Sequence, residues 1–327
     1  MAVPAVPQEL IQFIKTGSRF LVAGHKEPDG DCAGSQLALA SVLRRLGKEA
    51  IPCSAGPFKR TEILPYADRF TAAPGEGDRE NARVIVVDCS APSRTGDLAP
   101  FLEGLPAAII DHHATGDHPA SSPENPVFLD PGAPSVTFLI LYLIEALGET
   151  PGPEEAELLF FGLCTDTGFF RHVDQGGADV FAAAARMIRA GANPKKTFQA
   201  IHGGKGLNSR ILMGRILARA ESFFDSRLIL SSEEYEESRR FGLEGRDSDS
   251  LYQLLQSVAG VEAIAIIRQE TPDNCTVGLR SRDAVDVGAL AMAFGGGGHK
   301  NAAGFSAGTT IGELRPRLLA AFEKIFA

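Results

Sequence analysis

The sequence predicts an α/β protein with a mostly parallel, open sheet flanked by helices, followed by a smaller α+β domain. Three observations carry this expectation. Short β-rich apolar runs alternate with helical periodicity over the first 190 residues. Two of those runs, Arg83–Asp88 and Ala107–Asp111, are almost continuously apolar, as strands are when helices cover both faces of their sheet. The texture then changes near Gly191-Ala-Asn-Pro194. A chain of 327 residues is long for one core and short for three. The expected division is a first domain over 1–190, a helical linker over 191–221 and a second domain over 222–327.

Taken in order, Arg19–Gly24 reads as a buried strand and Gly34–Leu46 as an amphipathic helix stopped at Gly47. Glu49–Cys53 is a second short strand, and Val127–Asp130 a weaker one. Helices are expected at Ser135–Leu147, Glu154–Leu163 and Ala178–Ala190. Beyond the change in texture, a helical stretch is interrupted by His202-Gly-Gly-Lys-Gly206 and resumes over Ile211–Ala220. Strands follow at Ser226–Ser231, Glu262–Arg268 and Cys275–Arg280, with a helix at Ser250–Ser257. A glycine-rich turn and a final helix, Ile311–Phe326, close the chain. The acidic run Glu233–Glu237 reads as a solvated helix face.

Composition narrows the function classes. The chain is 44% hydrophobic and 22% charged, ordinary for a soluble globular protein. Its net charge of −9 argues against a broad electrostatic footprint for long duplex nucleic acid. A small anionic substrate stays compatible with it, because local cations decide that question. Five cysteines without a CxxC fit a reducing compartment. No basic segment followed by an apolar one occupies the first eleven residues, and the most apolar stretch, Val136–Leu147, is too short to span a bilayer. A cytoplasmic protein with no membrane partner is expected.

Four clusters carry chemistry. His25-Lys-Glu-Pro-Asp29-Gly-Asp31 lies between a strand and a helix, at the strand end where open α/β sheets bind ligands. Asp88 ends the most apolar strand, and Asp111-His112-His113 ends another. Adjacent histidines on an extended chain point to different sides, so one suits a metal and the other a substrate. Thr165-Asp166-Thr-Gly168 follows an apolar helix. Each cluster alone has a plain structural reading as a helix cap, a surface histidine pair or a helix-terminal turn. Together they deliver four Asp and two His to one sheet edge, enough for two cations if one carboxylate bridges. Such a pair is a recurring device for hydrolysing phosphate esters. The run Gly295–Gly298 lets backbone amides approach an anion closely and is not a Walker loop, since Asn301 follows Lys300. Cys32, Cys89 and Cys164 are read as structural, His118, His172 and His202 as ordinary surface residues, and Phe169-Phe170 as core.

These motifs resemble the four motifs of the DHH phosphoesterase superfamily. In the second domain, Gly295-Gly-Gly-Gly-His299-Lys-Asn-Ala-Ala-Gly304 resembles the signature of the DHH-associated C-terminal domain. Leu279-Arg280-Ser281 is similar to its substrate-binding arginine segment. The chain looks most similar to the bacterial nanoRNase type, which also removes the 3′-phosphate of phosphoadenosine phosphate. The resemblance implies one divalent cation on His25, Asp29 and Asp88, and a second on Asp31, Asp88, His112 and Asp166. Manganese is the expected ion, with magnesium or cobalt as substitutes. Asp88, His112 and His113 would form the catalytic group, with Asp111 orienting a histidine. Arg94, His113, Arg280, Gly296, Gly297, Gly298 and His299 would bind substrate. Short RNA or DNA oligonucleotides and nucleotide bisphosphates are the implied substrates, and a homodimer is the usual assembly. A RecJ-like single-strand exonuclease fits the length and charge less well. A cyclic-dinucleotide phosphodiesterase and a nucleotide-binding module with a degenerate site are the other readings.

Overall fold

The computed structural model describes residues 4–114, 118–242, 246–282 and 284–326. They form two compact units that meet in sequence at Gly203/Gly204. The first unit runs α1 (Gln8–Thr16), β1 (Arg19–Ala23), α2 (Gly30–Arg45), β2 (Glu49–Cys53), α3 (Glu76–Arg79), β3 (Ala82–Val87), α4 (Ala99–Leu102), β4 (Ala107–Asp111), β5 (Val127–Leu129), α5 (Val136–Ala146), α6 (Pro153–Asp166), α7 (Ala178–Ala190) and α8 (Pro194–His202). All five strands are parallel, in the order β2-β1-β3-β4-β5. The order reverses between β1 and β3, and in such sheets the crevice beyond the strand ends at the reversal is the ligand site. His25 lies two residues past β1 and Asp88 directly past β3, so the first two clusters sit at that reversal.

Helix packing then brings in the remaining ligands. Residues Val136–Ile144 of α5 are buried without interruption, the mark of a helix enclosed on all sides. Helices α2 and α6 cross closely because glycines sit at the contact: a Cβ on Gly34 would lie 2.6 Å from the Leu158 carbonyl oxygen. A Cβ on Gly162 would lie 2.5 Å from Thr137 Cγ2 and 3.0 Å from Asp31 Cα. Gln36 of α2 ties the helix to the sheet, donating from Nε2 to the Val22 and Cys53 carbonyls at 2.8 Å each.

The second unit runs α9 (Leu207–Ala218), β6 (Glu221–Phe223), β7 (Leu228–Glu233), α10 (Tyr235–Phe241), α11 (Ser248–Gln256), β8 (Ala263–Thr271), β9 (Asn274–Ser281), α12 (Val287–Ala293), β10 (Gly297–His299), β11 (Ala302–Ala307) and α13 (Ile311–Phe326). Its sheet has the order β10-β11-β9-β8-β7-β6, with β7 and β8 parallel and the other pairs antiparallel. Strand alternation splits β8 between two cores: Ile264 and Ile266 pack with α9 and α11, while Ala263, Ala265 and Ile267 pack with α12 and α13.

Three expectations are corrected. The linker over 191–221 is not a separate piece: α8 lies in the first unit, and α9 lies in the second, where Leu212, Met213 and Ile216 join its core. The glycine run is not only a turn, because Gly297–His299 pairs with β11 as an edge strand. The acidic run is solvated only in part, at Glu234 and Glu236. Glu233 is 0% exposed and meets Arg246 at 2.8 Å and Arg268 at 3.3 Å, while Glu237 is buried against Arg215 and Arg219.

Gly162→Ala is expected to cost about 1–3 kcal/mol by overpacking, and to loosen Thr137 from Asp31. Denaturant unfolding and cation titration check it; an unchanged midpoint with unchanged cation affinity would contradict the packing argument. Glu233→Ala removes the buried carboxylate that Arg246 and Arg268 share, leaving Arg246 with Glu270 alone, and should destabilise the second unit by about 3–5 kcal/mol. Hydrogen exchange in β7 and β8 reads that loss.

Candidate metal centre

Two imidazoles and four carboxylates converge past the C-terminal ends of β1, β3 and β4. His25 Nδ1 lies 2.8 Å from the Lys26 carbonyl oxygen, and His112 Nδ1 lies 3.1 Å from that of Ala133. A carbonyl only accepts, so each Nδ1 carries the proton and each Nε2 faces inward. His25 Nε2 is 3.4 Å from Asp88 Oδ2, while His112 Nε2 is 3.6 Å from Asp88 Oδ1 and 3.4 Å from Asp166 Oδ2. The two histidines therefore address opposite oxygens of one carboxylate.

Asp88 departs from ordinary structure in two further ways. Its φ is +60°, the left-handed region, uncommon for a non-glycine residue. The residue is 3% exposed, yet its Oδ1 has no hydrogen-bond partner among the described residues. A buried oxygen with no donor, flanked by imidazole nitrogens, has the chemistry of a cation ligand.

The other carboxylates are held by backbone. Asp31 is 0% exposed and sits at the N-terminus of α5, where Val136 N donates to Oδ2 at 2.5 Å. Thr137 N and Oγ1 donate to its Oδ1 at 2.8 and 2.6 Å. Asp29 caps α2, its Oδ1 accepting from the amides of Asp31 and Cys32 at 3.1 Å each. That oxygen lies 3.9 Å from His25 Nε2. Asp166 ends α6.

The electrostatics describe concentrated negative charge. Burial, then the charge of Asp88, pushes Asp31 well above the usual carboxylate range. Burial likewise raises Asp88, with Asp29 adding repulsion. Asp166 is pushed up to about 10 by burial and by Asp31, Asp29 and Asp88. Asp29 shares the burial, but hydrogen bonding to His25 holds it at about 2. Burial opposes the His25 cation, yet Asp29 and Asp88 outweigh it and raise its pKa. Divalent cations would neutralise this cluster, and donor atoms of Asp88, His112 and His113, and of Asp31, His112 and Asp166, lie within 4.8 Å of one another. The donor set fits two divalent ions.

His113 turns the other way. Its Nδ1 lies 2.7 Å from Asp111 Oδ1, and its side chain is 51% exposed. It lines a cleft of about 380 Å³ together with Asp88, Lys26 and Arg94. The residues expected to bind substrate in the second unit are described within that unit. Arg280 of β9 stacks over the Tyr252 ring at 4.6 Å. Gly297, Gly298 and His299 form exposed β10, where Gly298 adopts φ +140°. A Cβ on Gly296 would lie 2.2 Å from the Gly304 carbonyl oxygen. Close backbone packing thus explains Gly296 and Gly298 without any ligand.

Two residues of the site stand apart from the sequence reading, and Cys32, read as structural, is fully buried beside His25 and Asp88. Lys26 lines the cleft. His118 is no surface residue: its side chain is 12% exposed and its Nε2 lies 2.9 Å from Asp111 Oδ2. Lys26 sits inside the first cluster, where its position is the signal, whereas His118 carries no spacing that marks it.

Comparison with known proteins agrees with this geometry. Residues 19–163 match the DHH family N-terminal domain, and residues 230–327 match the DHHA1 domain. The chain is 30% identical over 288 residues to the bifunctional oligoribonuclease and PAP phosphatase NrnA of Thermus thermophilus, covering 86% of this chain and 82% of that one. It is 25% identical to the cyclic-di-AMP phosphodiesterase PdeA of Listeria monocytogenes over 97% of this chain and 49% of that protein. Among solved structures, an exopolyphosphatase-related protein from Bacteroides fragilis superposes with a TM-score of 0.78 at 20% identity, covering 98% of this chain and 94% of that one. This chain belongs to the DHH family, with a DHHA1 domain as its second unit.

Proposed function

We propose that this chain is a metal-dependent phosphoesterase. Its substrates are very short oligonucleotides such as nanoRNA and pApA, cleaved to mononucleotides, and phosphoadenosine phosphate, from which it removes the 3′-phosphate. The observation that carries this reading is Asp88, a buried carboxylate with an unpartnered oxygen and an imidazole on each side. The similarity to a protein named for oligoribonuclease and PAP phosphatase activity supports the choice of substrate.

In this reading His25, Asp29 and Asp88 hold one divalent ion, and Asp31, Asp88, His112 and Asp166 hold the other. Bound there, the ions supply a water of lowered pKa and neutralise charge at the scissile phosphate. Mixed carboxylate and imidazole donors suit manganese, with magnesium or cobalt able to replace it. His113, its Nδ1 engaged by Asp111, presents Nε2 to the phosphate. Arg94 neutralises a phosphate oxygen from the rim of the cleft. Arg280, Gly296, Gly297, Gly298 and His299 hold parts of the substrate other than the scissile phosphate. The five cysteines are all free and buried, which supports a reducing cytoplasm as the working compartment. No helix among the described residues is long and apolar enough to cross a membrane. A homodimer completes the proposal.

The match to PdeA over 97% of this chain favours a second reading, hydrolysis of a cyclic dinucleotide. A substrate panel at fixed Mn2+, from phosphoadenosine phosphate and linear dinucleotides to cyclic dinucleotides and long single strands, separates them. The linear dinucleotide and phosphoadenosine phosphate should turn over fastest. Preference for the cyclic substrate, or equal rates at every length, would replace the proposal.

Asp88→Asn should lower turnover by at least about 10²–10³-fold and abolish binding of the paired cations. Retained activity would remove Asp88 from the centre. A pH dependence follows from Asp166, whose folded pKa is raised to about 10 from an unfolded value near 4. Stability from its neutral form is full below the lower value and lost as pH climbs through the higher one. The Mn2+-induced rise in Tm should therefore be larger at about pH 9 than at about pH 5. Thermal unfolding with and without Mn2+ measures it.

A further inference from the structure

Asp111 is 0% exposed, and its carboxylate is loaded unevenly. Oδ1 accepts from His112 N at 2.8 Å, His113 N at 3.2 Å and His113 Nδ1 at 2.7 Å. Oδ2 meets His118 Nε2 at 2.9 Å, with His118 arriving from the far side of residues 115–117. Two backbone N–H groups already donate to Oδ1, which marks the carboxylate as an acceptor, and both imidazoles donate to it as well: His113 through Nδ1–H and His118 through Nε2–H.

A carboxylate gripped on one oxygen alone can rotate about its last bond and exchange oxygens. Gripping Oδ2 as well removes that freedom, and with it the freedom of His113 to turn its exposed Nε2 away from the cleft. We propose that His118 is a positioning residue for His113, acting through Asp111 to fix the direction in which His113 meets the scissile phosphate. The inference rests on the phosphoesterase reading, because His113 has a reacting partner only there. It adds a residue that touches neither cation ligands nor cleft.

The test compares His118→Ala, His118→Gln and His113→Ala in the full chain, with Mn2+ and a linear dinucleotide. His118→Ala should lower kcat about 10–100-fold with KM within a few-fold of wild type and Mn2+ affinity by calorimetry unchanged. His118→Gln places an amide N–H where Nε2–H stood and should restore most of kcat. In the His113→Ala background, His118→Ala should add almost nothing, because the route through His113 is already cut.

Several results overturn the proposal. Wild-type kcat in His118→Ala would do so, as would additive losses in the double variant. A drop in Mn2+ affinity that tracks the lost activity would place the effect at the cations. Loss of cooperative unfolding in both His118 variants would make His118 a purely structural residue. Failure of wild-type protein to cleave any phosphate ester is a different outcome, which removes the phosphoesterase reading itself.

Discussion

The burial of like charges around Asp88 is the constraint on which the first unit depends. Asp31, Asp88 and Asp166 are each driven towards the neutral form by burial and by one another. Nothing in hydrophobic packing would assemble such a group, because desolvated carboxylates repel and lose their hydration. Backbone geometry holds them in place. The reversal of strand order between β1 and β3 puts His25 and Asp88 side by side. The N-terminus of α5 offers Asp31 two amides and a hydroxyl, which offset part of its desolvation.

That arrangement works only if three helices approach more closely than side chains usually allow. Gly34 and Gly162 remove the Cβ atoms that would separate α2, α5 and α6. The largely apolar, buried run Val136–Ile144 of α5 fills the space around them. The dense core beneath the site and the polar cluster above it are one construction: packing supplies the rigidity that keeps repelling groups in register.

Much of this was legible in sequence because it is local. Apolar runs ending in Asp or His mark strand ends, and strand ends of a parallel sheet share an edge, so His25, Asp88 and His112 could be grouped before any coordinates. What was not legible depends on partners far along the chain. Glu233 looks solvated until Arg246 and Arg268 are placed against it. His118 looks idle until it is found against Asp111 Oδ2. Helix α1 does carry a helical stripe, with Leu10, Ile11, Phe13 and Ile14 buried, whereas the hairpin β10–β11 lacks strong periodicity. Gly296 and Gly298 answer to neighbouring backbone, as the 2.2 Å approach at Gly296 shows, and that approach follows from how β10 pairs with β11 and not from any periodicity. The helical segment after residue 190 was periodic enough to see but not to divide, since the assignment of α9 rests on its contacts with β7 and β8.

The segment Asp111-His112-His113 shows how three adjacent residues take three directions. Both following amides donate to Asp111 Oδ1, which curls the chain as it leaves β4. His112 is then turned inward by the Ala133 carbonyl, and its ring stands at 66° to that of His113 with centroids 4.8 Å apart. One histidine faces Asp88 and the other faces the cleft, so a single buried carboxylate, Asp111, sends the two rings to different sides. Strain is concentrated on the opposite wall, in the left-handed backbone of Asp88. Conformations of that kind cost on the order of 1–3 kcal/mol and persist only where surrounding structure enforces them. Here the enforcing structure is the sheet reversal and the three-helix contact. An unpartnered oxygen and a strained backbone at the same buried residue would be two unrelieved penalties in a structural carboxylate, and a shared pair of cations, as proposed, would relieve the first and give the second its purpose.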